Sequence, residues 1–134
     1  MSIPKIAILG ATSHIAKSLI GQFLKHGGFD LHLFARAPER VQAFLETLEG
    51  GKNQFNIKAS FQAIIEQKYD VLINCVGVGT HNKLQGDYTR YFMVTEEFDN
   101  LALSYLNNQN PDALYISFSS GAVYGRSFSA PVTE

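Results

Sequence analysis

Residues 3–16 read Ile3-Pro4-Lys5-Ile6-Ala7-Ile8-Leu9-Gly10-Ala11-Thr12-Ser13-His14-Ile15-Ala16. The run before Gly10 is apolar on successive positions, not alternate ones. That suits a strand buried on both faces, as a parallel sheet requires. Gly10 permits a tight turn. Beyond it, Ile15, Leu19, Ile20, Phe23 and Leu24 fall on one face of a helix, and Gly27-Gly28 ends it. Strand, glycine turn and helix in that order are the opening unit of a β-α-β fold.

The same rhythm continues to the end of the chain. Apolar runs at residues 3–9, 31–35, 55–58, 70–76 and 113–118 read as five strands. IAIL, VLINCV and LYISF among them have the continuous character of strands covered on both sides. Pro38 opens a second helix whose inner face is Val41, Phe44, Leu45 and Leu48, closed by Gly50-Gly51. Phe61, Ile64 and Ile65 suggest a short third helix. A long fourth runs over about 88–108, with Tyr91, Val94, Phe98, Leu101, Ala102 and Tyr105 inward. Five strands alternating with four helices predict an α/β, doubly wound parallel sheet, and right-handed crossovers give strand order 3-2-1-4-5. The fifth strand would be an open edge. The reading is therefore one dinucleotide-binding domain over 1–134, the front part of a longer chain.

Composition agrees and narrows the function. With 46% apolar and 17% charged residues in 134, the chain is one globular domain, not a coiled coil or a disordered tail. A formal charge of −1 gives no basic footprint for nucleic acid or an anionic membrane. One cysteine excludes an internal disulfide and a multi-thiolate zinc site. Neither a signal peptide nor an apolar run of about 18 residues is legible, so the expected compartment is the cytoplasm. No metal site is expected: His26, His32 and His81 have no ligand spacing, and His32 reads as a satisfied, half-buried residue.

Ligands of such sheets sit beyond the carboxyl ends of the strands, near the order reversal between strands 1 and 4. The backbone N–H groups of Thr12, Ser13, His14 and Ile15 would there form the positive end of a helix, suited to a pyrophosphate. The three small positions of a dinucleotide turn read Gly10, Ser13 and Ala16, and the Ser13 hydroxyl can meet a phosphate oxygen. A plain tight turn is the other reading. A phosphate loop is not: Ala16-Lys17-Ser18 has the wrong spacing from Gly10 and no glycine before the lysine, which leaves Lys17 a helix surface residue. At the second strand's end no acid stands ready for a ribose hydroxyl. Asp30 precedes that strand and belongs to the opposite edge. Arg36, with Arg40 a turn later, offers a 2′-phosphate site instead, so the cofactor read here is NADP, with NAD as alternative.

The last strand carries the most specific signal. Ile116-Ser117-Phe118-Ser119-Ser120-Gly121-Ala122-Val123-Tyr124-Gly125, followed by Pro131 and Glu134 in Pro-x-x-Glu spacing, resembles the extended short-chain dehydrogenase/reductase family in its NAD-dependent epimerase/dehydratase branch. Gly10-Ala11-Thr12 and Leu72-Ile73-Asn74-Cys75-Val76-Gly77 are similar to that family's first glycine turn and fourth-strand end, so the resemblance spans the chain. It implies a Rossmann fold and hydride exchange with a nucleotide-sugar or related alcohol or carbonyl substrate. It also implies that Ser120 is the catalytic hydroxyl polarising the substrate oxygen, that Tyr124 is structural, and that Cys75, Val76 and Gly77 line the cofactor. Cys75 reads as a small core or wall residue, not a nucleophile.

Two departures accompany the resemblance. Ser13 and Ala16 replace glycines of the turn, and the family's Tyr-x-x-x-Lys pair is absent from these 134 residues. A chain without that pair is expected to be inactive alone. A non-catalytic NAD(P)-binding sensor or regulatory module is the alternative function, and the long fourth helix offers a homodimer contact.

Overall fold

The computed structural model describes residues 3–48, 55–76 and 88–118. Five strands, β1 (Lys5–Leu9), β2 (Asp30–Phe34), β3 (Phe55–Lys58), β4 (Val71–Asn74) and β5 (Leu114–Ser117), form one parallel sheet in the order β3-β2-β1-β4-β5. Leu9 is in register with Phe34 and with Asn74, Phe34 with Lys58, and Asn74 with Ser117. All five carboxyl ends therefore open on one edge, and the helices α1 (His14–His26), α2 (Pro38–Glu46) and α3 (Tyr88–Asn108) return the chain across the faces.

Alternation along the strands splits the core in two. Ile6, Ile8, Leu31, Leu33 and Ile73 pack with Ala16, Ile20 and Leu24 of α1 and Val41 and Leu45 of α2. Ala7, Leu9, Phe34 and Leu72 face the other way, onto Phe98, Ala102 and Tyr105 of α3. Helices on both faces are why Ile6, Ala7, Ile8 and Leu9 of the central strand are apolar in succession.

Four local expectations change. Ile15 is 46% exposed, and Ala16 takes its place inside. At 3.6 residues per turn Ile15 stands about 140° from Ile20 around α1, whereas Ala16 and Leu24 each stand about 40° away. The third helix is a 3₁₀ segment, Phe61–Glu66, in which Ile64 is buried and Ile65 exposed. Its i, i+3 spacing puts Phe61 and Ile64 on one edge. Strand β5 is not covered on both faces: Leu114 is 57% exposed, and Ile116 and Phe118 on the same side are exposed too. No helix among the described residues covers that side. Finally, His32 is buried at 2% exposure, neither half-buried nor satisfied. Its Nε2 lies 3.3 Å from Asp30 Oδ1, but neither ring nitrogen makes a hydrogen bond among the described residues. Tyr69 packs edge-on against the ring.

Candidate functional site

At the shared carboxyl edge, the chain leaving β1 turns at once into α1. Gly10 and Ala11 both donate to the last carbonyl of β2, Phe34, at 2.9 and 3.0 Å. The Ser13 N–H closes the turn onto Gly10 O at 3.1 Å. Ser13 is also the N-cap of α1: its Oγ accepts the Ala16 N–H at 3.2 Å, a role favoured for Ser. Its hydroxyl proton is left to donate outward. The N–H groups of Thr12, His14 and Ile15 meet no acceptor among the described residues. Three free donors thus stand at the start of a 13-residue helix whose first turn carries no acid, where the helix dipole favours an anion. Of the four amides expected here, Ser13's is used by the turn itself.

Gly10 has φ 77°. A Cβ built on it would lie 2.9 Å from both Cα and N of Val76 and 3.0 Å from the carbonyl carbon of Cys75. The glycine turn therefore rests directly on the chain leaving β4, and the two ends flanking the order reversal are in contact. Cys75 belongs to the core beside Ala11 and Ala16, and burial pushes its thiol up to about 11. It is a protonated core residue, not a nucleophile.

Asn74 was not singled out by sequence. It is 5% exposed at the end of β4, accepts the Val76 N–H at its Oδ1 (3.0 Å) and donates from Nδ2 to the Tyr115 hydroxyl of β5 (3.2 Å). Tyr115 in turn donates to Asp99 Oδ1 of α3 at 3.0 Å. Burial, first, raises the Tyr115 phenol. Hydrogen bonds from Asn74 and Ser117 oppose the rise, and the Asp99 carboxylate adds to it. The one signal available was a polar residue inside VLINCV, since a buried amide needs partners.

Arg36 follows β2 on the same edge, and Arg40 lies in the first turn of α2. Both are exposed, and neither has a carboxylate partner among the described residues. Lys58, at the end of β3, is paired with Glu66 at 2.8 Å. Asp30 begins β2 on the opposite edge, its N–H on Pro4 O. Lys17 sits 5.6 Å from the centre of the Phe44 ring and is part of the α1–α2 contact. Gly77, Ser120, Tyr124 and His81 lie outside the described residues. Among the described residues no group of three or more His, Cys, Asp or Glu could hold a metal, and no helix is long and apolar enough to cross a membrane.

Solved structures share the fold that holds these residues. The UDP-Glc/GlcNAc 4-epimerase of Campylobacter jejuni superposes with a TM-score of 0.74 at 17% identity, over 91% of this chain and 39% of that one. The UDP-glucuronic acid 4-epimerase of Bacillus cereus, solved as a variant with NAD and a fluorinated UDP-sugar, gives 0.65 at 20% identity, over 97% and 44%. The lactate dehydrogenase of Eimeria maxima, solved with NADH and oxamate, gives 0.63 at 16%, over 88% and 36%. The chain spans less than half the length of each. No curated protein matches it in sequence. Epimerases and a lactate dehydrogenase run different reactions on the fold, so the likeness shows the fold alone. The sequence itself distinguishes them: residues 6–134 match one family throughout, and the chain belongs to the NAD dependent epimerase/dehydratase family.

Proposed function

We propose that the carboxyl edge of β1, β2 and β4 binds a nicotinamide dinucleotide, and that the chain is the cofactor-binding part of an oxidoreductase, epimerase or dehydratase. The observation that carries this is the set of free N–H groups on Thr12, His14 and Ile15 above a glycine turn. Those donors fit a pyrophosphate, with the Ser13 hydroxyl as a fourth. Gly10 keeps the turn low against Val76, and Cys75, Val76 and Gly77 wall the site. The bound cofactor supplies hydride exchange with an alcohol or carbonyl carbon. Ser120, three residues past the end of β5, would polarise the substrate oxygen by one hydrogen bond. A nucleotide sugar is the substrate class the family membership favours.

Arg36 and Arg40 favour NADP over NAD. A guanidinium meets a 2′-phosphate with paired, charge-assisted hydrogen bonds, and no carboxylate stands at the end of β2 to receive a ribose hydroxyl. Fluorescence titration with NADPH and NADH at fixed salt tests this. NADPH should bind tighter, and Arg36→Asp should flatten or invert the preference by about 1–3 kcal/mol. Equal or tighter NADH binding by the wild type would make Arg36 a surface residue.

A cytoplasmic setting goes with this reading. So does self-association through α3, whose outer face carries the exposed Met93 and Leu103; sedimentation would detect it. The alternative is a non-catalytic NAD(P)-binding sensor or regulatory module. Such a module would bind the cofactor as well but leave Ser120→Ala without consequence for any turnover.

A further inference from the structure

The geometry points to Tyr115 as a positioning residue: with Asn74 and Asp99 it fixes the backbone at Val76 on which the glycine turn rests, and so sets dinucleotide affinity from a distance. The inference rests on the dinucleotide reading above for its effect on affinity, but not for the structural link itself.

Hydrogen-bond polarity sets the order of the three groups. A carboxylate can only accept. Asp99 therefore takes the Tyr115 proton, at 3.0 Å. The Tyr115 oxygen is then left to accept from Asn74, at 3.2 Å, which turns the amide nitrogen toward β5. The carboxamide oxygen consequently faces Val76 and accepts its N–H at 3.0 Å. The direction of each bond is dictated by the one before it, starting from a charge on α3. Asn74 is almost fully buried, so a reversed amide would set its NH₂ against the Val76 N–H with no water to relieve it. Val76 N and Cα are also the atoms nearest to where a Cβ on Gly10 would lie, so a shift here moves the floor under the turn. Asp99, Tyr115 and Asn74 stand on α3, β5 and β4, and Gly10 on the chain leaving β1. The relay thus ties the edge strand and its helix to the centre of the sheet.

The test uses Tyr115→Phe, which removes the hydroxyl and keeps the ring. Amide hydrogen exchange, read by NMR without ligand, should speed up about tenfold at Val76 while Ile8 and Leu33 keep their rates. NADPH affinity should fall about fivefold, the scale of one net hydrogen bond. Asp99→Ala should reproduce both effects in part, and Asp99→Asn, whose carbonyl still accepts from Tyr115, should restore them. A general loss of stability would raise all exchange rates together. That result, or unchanged Val76 exchange in Tyr115→Phe, would overturn the relay. If Tyr115→Phe does not fold, the Asp99 pair decides by the same readouts. If the wild type binds no dinucleotide, the functional reading fails while Val76 exchange still decides the relay.

Discussion

Two glycine turns bracket α1, and they share a positive φ while differing in what surrounds them. Gly10 has φ 77° and Gly28 has φ 80°. At Gly28 an added Cβ would meet nothing within 4 Å; at Gly10 it would strike the backbone of Val76 at 2.9 Å. The turn after α1 needs glycine only because L-residues avoid positive φ. The turn before α1 needs it for that reason and also because two chain ends converge there with no room for a methyl group. One glycine lies just past the Gly27 cap that ends a helix. The other lets β1, β4 and the start of α1 share one small region, where three backbone donors meet no acceptor among the described residues.

Gly10→Ala should be the most damaging single change. Strain at positive φ and a backbone clash that no side-chain rotation relieves together cost about 2–5 kcal/mol. Urea denaturation measures this, and a loss below about 1 kcal/mol would mean the β4 end yields freely.

Cys75 reports on the same convergence. With its thiol raised from 9.0 to about 11 by burial, reaction with a disulfide reagent at pH 8 should run on the order of a hundredfold slower than for a free cysteine. In Gly10→Ala the rate should rise. The sign for stability follows: a folded pKa above the unfolded one means the thiol's contribution is complete below pH 9 and is lost as pH rises toward about 11. Cys75→Ala should flatten that alkaline slope.

Gly28→Ala should cost only about 1 kcal/mol, for conformation alone. Smallest, and opposite in sign, is Gly21→Ala. Gly21 is inside α1 with open space where a Cβ would go, so alanine should stabilise the protein by about 0.5–1 kcal/mol, read as a raised Tm.

The features legible in the sequence were the local ones. Strand order follows from counting apolar runs and from crossover handedness, and the turn at Gly10 is announced by its neighbours. Ile15 fits an apolar period, but the face of α1 turned to the sheet is set by Ala16, Ile20 and Leu24, which pack there while Ile15 does not. Ser13's capping role was hidden by its equal fitness for phosphate. The Asn74–Tyr115–Asp99 chain was out of reach because its first two members lie 41 residues apart and meet only once β4 and β5 pair. His32 is a related case: alternation places it on a face, but only the packing against Tyr69 decides that its ring is buried without a hydrogen bond among the described residues, Asp30 Oδ1 standing 3.3 Å from Nε2. The exposed side of β5 depends on what lies against it, which an apolar run does not state.

In the function proposed above, the amides at the start of α1 receive a dinucleotide's pyrophosphate. The most direct measurement is an NMR titration of the ¹⁵N-labelled protein with NADPH, following the backbone amides. Thr12, His14 and Ile15 should move downfield more than other residues as hydrogen bonds to phosphate form, while Ser13, already bonded to Gly10 O, moves little. Saturable shifts centred elsewhere, or no shifts at these three amides, would contradict the account.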